Sequence, residues 1–183
     1  MITKSYTREK LVGKTAICEE DIRNHGGEGV SKGSLVTIKN VVRGKGITIR
    51  TETCPVCGQY AYISGVDREC LTLLDGIEAS FDEKGKAFLE SIEDAFFENE
   101  HGCVGRATDN VEGYVLSQCK LLFHYACSTK DRADCSPNLA KEKAEHIWQI
   151  LYTAGPDICD RISADTVAEV ITVIQKYTGI KIG

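Results

Sequence analysis

The hydrophobic residues of this 183-residue chain change their period once, near Asp75-Gly76, and that change limits the folds open to it. Before this point, Thr, Val, Ile and Tyr occur in short runs that alternate with polar residues, as is typical of β-strands. After it, apolar residues recur every three or four positions, as in amphipathic helices. The sequence therefore predicts an α+β protein, with a strand-rich domain over residues 1–76 and a helical domain over 77–183.

Five strand-like runs lie between Lys10 and Leu74, separated by glycines and polar turns. In chain order they read KTAIC, SLVTIKNVV, GITIRTE, QYAYISGV and ECLTLL. Such short strands predict a small closed β-barrel, because closure removes the edges that a small open sheet would expose. RGKG at 43–46 predicts a hairpin turn, and the glycine-rich segment at 23–33 predicts a long, mobile loop.

The order of these strands, with the long first loop, resembles the small barrels of the Src-homology type over about residues 10–75. The resemblance depends on strand order and loop lengths, and it transfers no individual residue to this chain. Barrels of this type bind peptides or nucleic acids in many proteins. The resemblance therefore implies a small binding barrel, and it constrains the ligand only weakly.

Four helical runs follow and predict a four-helix bundle in the second half of the chain. A polar cap residue or a glycine marks most of the boundaries of these runs. The predicted boundary residues are Ser80 with Glu83 for the first helix, Asp109 with Glu112 for the second, Ser136 and Gly155-Pro156 for the third, and Ser163 and Gly179 for the fourth.

The two halves of the chain differ in charge. Residues 1–76 hold 11 lysines and arginines against nine acidic residues, whereas residues 77–183 hold 11 against 18. Eight of those acidic residues lie within 78–100, beside two lysines. A negative surface of this kind speeds encounter with a basic protein and repels nucleic acid, although acidic helix faces also serve solubility alone. The candidate protein-binding residues are Glu83, Glu90, Glu93, Asp94 and Glu98.

The segment TETCPVCGQYAY at 51–62 contains half of a possible zinc site. Cys54 and Cys57 have the spacing at which two thiolates grip one tetrahedral ion, and Gly58 lets the chain leave the turn at positive φ. No second such pair occurs in the chain. The remaining candidate ligands are Cys70, Cys18 and His25. The alternatives are a redox pair, or a turn with two reduced thiols and no metal.

Nine cysteines at irregular spacing indicate reduced thiols rather than a disulfide framework. The first ten residues, MITKSYTREK, lack the apolar core of a secretory signal. We therefore expect a soluble, cytoplasmic protein. A second metal ion near the predicted helix ends is a further hypothesis, and its candidate ligands are His101, Cys103, Cys127, Cys135 and Cys159.

The strand-rich half offers a different candidate surface, in which basic residues lie close to aromatic residues. Such a surface holds nucleic acid through phosphate contacts and base stacking. Because the net charge of this half is small, we expect binding at low salt that disappears near physiological salt. The candidate nucleic-acid-binding residues are Arg43, Lys45, Arg50, Tyr60 and Tyr62.

Four common catalytic sequence motifs are missing from the chain. It contains no phosphate-binding glycine loop before a helix, no nucleophile elbow, no two-histidine metalloprotease helix and no His-x-Glu deaminase motif. We therefore expect a protein that binds rather than catalyses. A cysteine-dependent or metal-dependent enzyme is the alternative, since a site assembled in space needs no local motif.

A short, motif-poor protein made of two parts is similar in kind and size to accessory proteins of bacteriophages and mobile elements, such as type II anti-CRISPR proteins. That resemblance implies an inhibitor that binds and blocks a CRISPR effector nuclease, whose DNA channel is strongly positive. The acidic helical surface would make the contact. The alternative function is a zinc-stabilised nucleic-acid-binding module that uses the basic face of the barrel.

Overall fold

The structure is a computed structural model that describes residues 2, 5–100, 108–126, 135–155, 159 and 161–183. The chain divides into two compact units, Met1–Ser80 and Phe81–Gly183. The described residues of the first unit form a five-stranded antiparallel sheet, and those of the second form long helices. The α+β class predicted from the sequence is confirmed.

The sheet has the order β6-β5-β4-β1-β7, and all its neighbouring strands are antiparallel. Its five strands lie within the five predicted runs. A separate two-stranded hairpin, β2 with β3, occupies part of the segment predicted as a loop. The strands are β1 Thr15–Cys18, β2 Ile22–Arg23, β3 Gly29–Val30, β4 Leu35–Val42, β5 Gly46–Thr51, β6 Tyr62–Val66 and β7 Leu71–Leu73.

One side of the sheet covers the hydrophobic core of the first unit. Ile47 and Ile49 on β5 are fully buried at alternate positions, as the period of two predicts. A register shift between Ile38 and Asn40 on β4 lets Val41, rather than Asn40, continue the buried row. The core also includes Leu11, Ala16, Cys18, Val36, Ile63, Val66 and Leu71.

Two short α-helices complete the described part of the first unit: α1, Arg8–Leu11, and α2, Leu74–Glu78. Asp75-Gly76, where the hydrophobic period changes, is part of α2. Lys14 Nζ donates to Asp75 Oδ2 at 2.6 Å, which links the start of β1 to α2. This hydrogen bond, together with the charge of Asp75, raises the pKa of Lys14. A 3₁₀ helix, Arg68–Cys70, precedes β7.

The described residues of the second unit contain four long helices: α3 Glu83–Glu100, α4 Thr108–Ala126, α5 Pro137–Ala154 and α6 Ala164–Thr178. Each of α3 and α5 contacts both α4 and α6. The buried side chains of the helices follow the predicted three- and four-residue intervals. Within the described ranges, none of the helices combines the length and the apolar character that crossing a membrane requires.

The predicted caps of α5 and α6 are confirmed. The hydroxyl of Ser136 accepts from the Leu139 amide at 3.4 Å, and that of Ser163 accepts from the Thr166 amide at 3.1 Å. Gly179 ends α6 with a φ of 74°.

The predicted capping box at the start of α3 is wrong. Asp82 is the residue that caps this helix, because its Oδ1 accepts from the Gly85 amide at 2.9 Å. The hydroxyl of Ser80 instead donates backwards, to the carbonyl of Ile77 at the end of α2. The cap is therefore two residues later than the sequence predicted.

Candidate functional site

The five predicted protein-binding carboxylates all lie on α3, and all are exposed. At 3.6 residues per turn, they occupy an arc of roughly 140° around the helix axis. The opposite side of α3 carries the buried residues Phe88, Ile92 and Phe96. The acidic residues therefore share one face, here called the acidic α3 face: Glu83, Glu90, Glu93, Asp94 and Glu98.

Phe97 lies inside this acidic arc. Its side chain is 74% exposed, the largest exposure among the large hydrophobic residues that the structure describes. Helix geometry places Glu93 and Asp94, four and three residues before it, next to it on the surface. An exposed aromatic ring beside carboxylates combines an apolar contact with a charged rim, the arrangement found at the centre of many protein interfaces.

The sequence alone indicates that Phe97 lies on the surface of α3, although our prediction did not single it out. Phe96 and Phe97 are adjacent, and adjacent helical residues point about 100° apart, so they do not share one narrow core-facing stripe. Phe96 is buried and belongs to the core. The exposure of Phe97 could therefore have been predicted from the sequence pattern.

Two acidic residues of α3 have local partners. Lys86 Nζ donates to Glu83 Oε1 at 2.8 Å, and this bond raises the pKa of Lys86. Both side chains are largely exposed, so the pair contributes little to stability but locally reduces the negative charge. Glu100 has a structural role, because its carboxylate accepts from the Ser163 amide and the Thr166 hydroxyl at the start of α6.

The Cys54–Cys57 segment forms a tight turn between β5 and β6. The Gly58 amide donates to the Cys54 carbonyl at 2.9 Å, and Gly58 has a φ of 72°. The Cys54 amide donates to the Gln59 carbonyl at 2.9 Å, which closes the base of the loop. Cys57 is exposed, and Cys54 is half-buried.

The other predicted zinc ligands lie elsewhere in the first unit. Cys18 is buried on β1, where it pairs with Leu71 of β7. Cys70 directly precedes Leu71 in the chain, so its backbone lies close to Cys18. His25 is exposed in the β2–β3 hairpin. In the part of the chain that the structure describes, no three His, Cys, Asp or Glu side chains form a group that could hold a metal ion. The structure therefore does not assemble the predicted set.

Cys70 lies beside a carboxylate of the same unit. Its Sγ donates to Glu20 Oε1 at 2.7 Å. Burial, followed by this hydrogen bond and the charge of Glu20, raises the pKa of Cys70 to about 11. In this environment Cys70 is a hydrogen-bonded thiol rather than a reactive thiolate.

The residues proposed for a second metal ion are only partly described. His101, Cys103 and Cys127 lie outside the described residues. The thiol of Cys135 donates to the Tyr125 carbonyl at 3.4 Å, and Cys159 is exposed.

Three of the five predicted nucleic-acid-binding residues lie together. The guanidinium carbon of Arg50 is 4.0 Å from the centre of the Tyr60 ring, a cation–π contact. Arg50 on β5 is also the registered partner of Tyr62 on β6. Tyr60 is 55% exposed and Tyr62 is 49% exposed. These three residues, here called the Tyr60 platform, offer aromatic surface and positive charge to solvent.

The other two predicted residues, Arg43 and Lys45, lie in the β4–β5 turn. That turn is at the opposite end of β5, about 13 Å from Arg50 at roughly 3.3 Å per residue. The structure thus separates the predicted set into two sites. A single-stranded nucleic acid would have to run along β5 to touch both.

Comparison with protein-family models, curated proteins and solved structures found no match. A functional assignment for this chain therefore depends on its own surfaces. Two of these surfaces combine charge with exposed aromatic side chains. The acidic α3 face has carboxylates around Phe97, and the Tyr60 platform has Arg50 beside two tyrosines.

Proposed function

We propose that the protein acts by binding another macromolecule, and that the acidic α3 face docks on a basic protein. The observation that carries the proposal is Phe97, 74% exposed among carboxylates on one side of α3. An exposed aromatic ring rimmed by carboxylates offers a partner an apolar anchor and a charged surround on the same helix face. Charge complementarity identifies the partner surface as one rich in lysine or arginine, with a pocket for one aromatic side chain.

The two kinds of side chain on this face have different roles in the proposed contact. The carboxylates attract a basic partner over distance and raise the association rate, by roughly 10- to 1,000-fold at low salt. Phe97 makes the short-range contact and slows dissociation, since a buried aromatic anchor commonly contributes about 2 kcal/mol or more. The association rate should therefore depend on salt, and the dissociation rate should depend on Phe97.

We propose a CRISPR effector nuclease as the partner, in keeping with the similarity in kind and size to type II anti-CRISPR proteins. The DNA channel of such a nuclease is strongly positive, and an acidic helix face suits occupation of that channel. On this proposal the protein is cytoplasmic and not an enzyme. The seven described cysteines form no disulfide bond, which supports a reducing compartment.

The test uses the purified chain and a purified type II CRISPR effector nuclease, with biolayer interferometry and a DNA-cleavage assay. The test variant carries Glu90→Lys, Glu93→Lys and Asp94→Lys. The control variant carries Glu142→Lys, Glu145→Lys and Glu169→Lys, three exposed residues of α5 and α6 that change the net charge by the same amount. A third variant, Phe97→Ala, removes the aromatic anchor.

We expect the wild type and the control to bind the nuclease and inhibit cleavage, and the test variant to do neither. Phe97→Ala should raise the dissociation rate about 30-fold, the equivalent of about 2 kcal/mol. Equal losses in the test and control variants would refute the α3 face as the contact. No binding by the wild type would refute the nuclease as the partner.

The second candidate function is nucleic-acid binding, and the contact of Arg50 with Tyr60 favours it. A tyrosine ring held by a guanidinium is a ready platform for a stacked base. The nearby Tyr62 extends the exposed aromatic surface.

Fluorescence anisotropy with a labelled thymidine oligonucleotide tests this candidate. We expect binding at low salt that weakens steeply as salt rises, and a loss of about 1–3 kcal/mol in Tyr60→Ala. Tyr152→Ala on α5, another exposed tyrosine, is the control. Salt-independent binding, or equal losses in the two variants, would refute a role for the Tyr60 platform.

We also propose that the first unit is a closed barrel of the Src-homology type and that the second unit is a four-helix bundle. The return of β7 to pair with β1 supports the barrel. The contacts of α3 and α5 with both α4 and α6 support the bundle. Hydrogen exchange tests closure, because the outer amides of β6 and β7 exchange slowly only if the barrel is closed.

Zinc bound by Cys54 and Cys57 stays a prediction, and elemental analysis of the purified chain tests it. If zinc is bound, Cys54→Ser should lower the melting temperature sharply, because metal binding contributes directly to folding. Cys159→Ser, at an exposed cysteine outside this loop, is the control. A metal-free protein, or equal melting of wild type and Cys54→Ser, would refute the site.

A further inference from the structure

A groove of about 900 Å³ lies in the Met1–Ser80 unit, beside the turn between β4 and β5. Its lining includes Arg8, Val42, Arg43, Gly44, Gly46 and Arg68. Small-molecule sites in proteins typically have volumes of roughly 300–1,000 Å³. The groove is therefore large enough for a ligand of nucleotide size.

Three arginines line this groove, and each comes from a different part of the fold. Arg8 lies in α1, Arg43 in the β4–β5 turn and Arg68 in the 3₁₀ helix before β7. None of the described residues that line the groove is acidic. Positive charges gathered in one groove repel one another, so an anion bound between them would be stabilised by all three.

Two features prepare this groove, here called the arginine groove, for a ligand. Arg68 donates from Nη1 to the Tyr6 carbonyl at 2.8 Å, and this bond orients its guanidinium before any ligand arrives. Gly44, at a φ of 74°, has no atoms within 4 Å of the place where a Cβ would lie. A ligand can therefore approach the backbone of the turn closely.

We propose that the arginine groove binds two adjacent phosphate groups. The planar fork of a guanidinium matches the oxygens of a phosphate, and several guanidiniums together suit a compact anion that carries more than one charge. Val42, 40% exposed at the groove, offers an apolar surface for the nucleoside part of such a ligand. The phosphates belong either to a free nucleotide or to a nucleic-acid strand.

Isothermal titration of the full chain tests the proposal, with three phosphate probes: inorganic pyrophosphate, ADP and a short thymidine oligonucleotide. Citrate is the comparison anion, because it is compact and multiply charged but carries carboxylates. Arg8→Gln and Arg43→Gln are the main variants, since both residues are exposed and Arg68 also holds Tyr6. Arg23→Gln on β2 is the control, with the same change in net charge.

We expect pyrophosphate or ADP to bind more tightly than citrate, and each main variant to weaken binding about tenfold or more. The control should change the affinity less than twofold. If the oligonucleotide alone binds, and Arg43→Gln weakens it tenfold, the phosphates come from a strand rather than a free nucleotide.

The proposal is overturned if none of the three phosphate probes binds, if citrate binds as tightly as pyrophosphate, or if Arg23→Gln loses as much affinity as Arg43→Gln. Thermal melts of each variant, compared with the wild type, check that the fold is intact. Because the arginine groove and the acidic α3 face use different residues, failure of one leaves the test of the other unaffected.

Discussion

Alanine substitutions at two helical glycines should change stability in opposite directions. Gly85 is buried in the first turn of α3, and a Cβ there would lie 2.8 Å from Phe123 and 2.9 Å from Phe81. Those two rings pack edge to face, with their centres 5.3 Å apart. Gly113 is exposed on α4, where a Cβ would have no atoms within 4 Å.

The expected magnitudes follow from two opposing effects. Alanine in place of glycine stabilises a helix by up to about 1 kcal/mol, because the unfolded chain loses conformational freedom. Gly113→Ala should show this gain almost in full. At Gly85 the added methyl group overpacks the aromatic core, which costs about 1–3 kcal/mol. Gly85→Ala should therefore lose about 1 kcal/mol net.

Circular dichroism at 222 nm during thermal unfolding measures both variants. For a chain of this size, 1 kcal/mol corresponds to about 2–4 °C in Tm, so the two variants should differ by roughly 4–8 °C. If Gly85→Ala raised Tm as much as Gly113→Ala, the close packing of Phe81 and Phe123 around Gly85 would be refuted.

Two further predictions concern single hydrogen bonds of the helical unit. Ser163→Ala removes the acceptor for the Thr166 amide and should lower the free energy of unfolding by about 1 kcal/mol in a urea titration. Ser163→Thr keeps a hydroxyl acceptor and should retain most of this stabilisation. Burial and, to a smaller extent, the charge of Lys143 hold the pKa of His146 below its ordinary value of 6.5, and its Nε2 forms a hydrogen bond of 2.7 Å with the Tyr114 hydroxyl. The unfolded chain then binds more protons than the folded one below about pH 6.5, so stability is lost as pH falls through that value. The urea midpoint should fall more between about pH 7.5 and 5.5 for the wild type than for His146→Gln, and equal falls would rule His146 out as the cause.

The five sheet strands, the four long helices and the ends of α5 and α6 could be predicted from local sequence. The five sheet strands lie within runs of alternating β-branched residues, and Ser136, Ser163 and Gly179 are at the predicted ends of α5 and α6. These features depend on side-chain alternation or on hydrogen bonds between residues three or four positions apart. Such interactions involve residues close together in the sequence, so they depend little on how the rest of the chain packs.

The start of α3 shows where local sequence is ambiguous. Ser80 and Asp82 are both good cap residues, and Ser80 also has Glu83 at the capping-box position. The fold selects Asp82, because the Ser80 hydroxyl bonds to Ile77 and Phe81 is buried against Phe123. Packing of one side chain thus moved the helix boundary by two residues.

The candidate sites depended on contacts between residues far apart in the chain. Pairing of β1 with β7 puts Cys18 near Cys70, whereas Cys54 and Cys57 stay in their own loop, so the proposed ligand set is not assembled. Folding also gathers arginines from three separate elements into one groove. Spacing along the sequence contains little information about such long-range contacts, because they are determined by the tertiary packing of strands and helices.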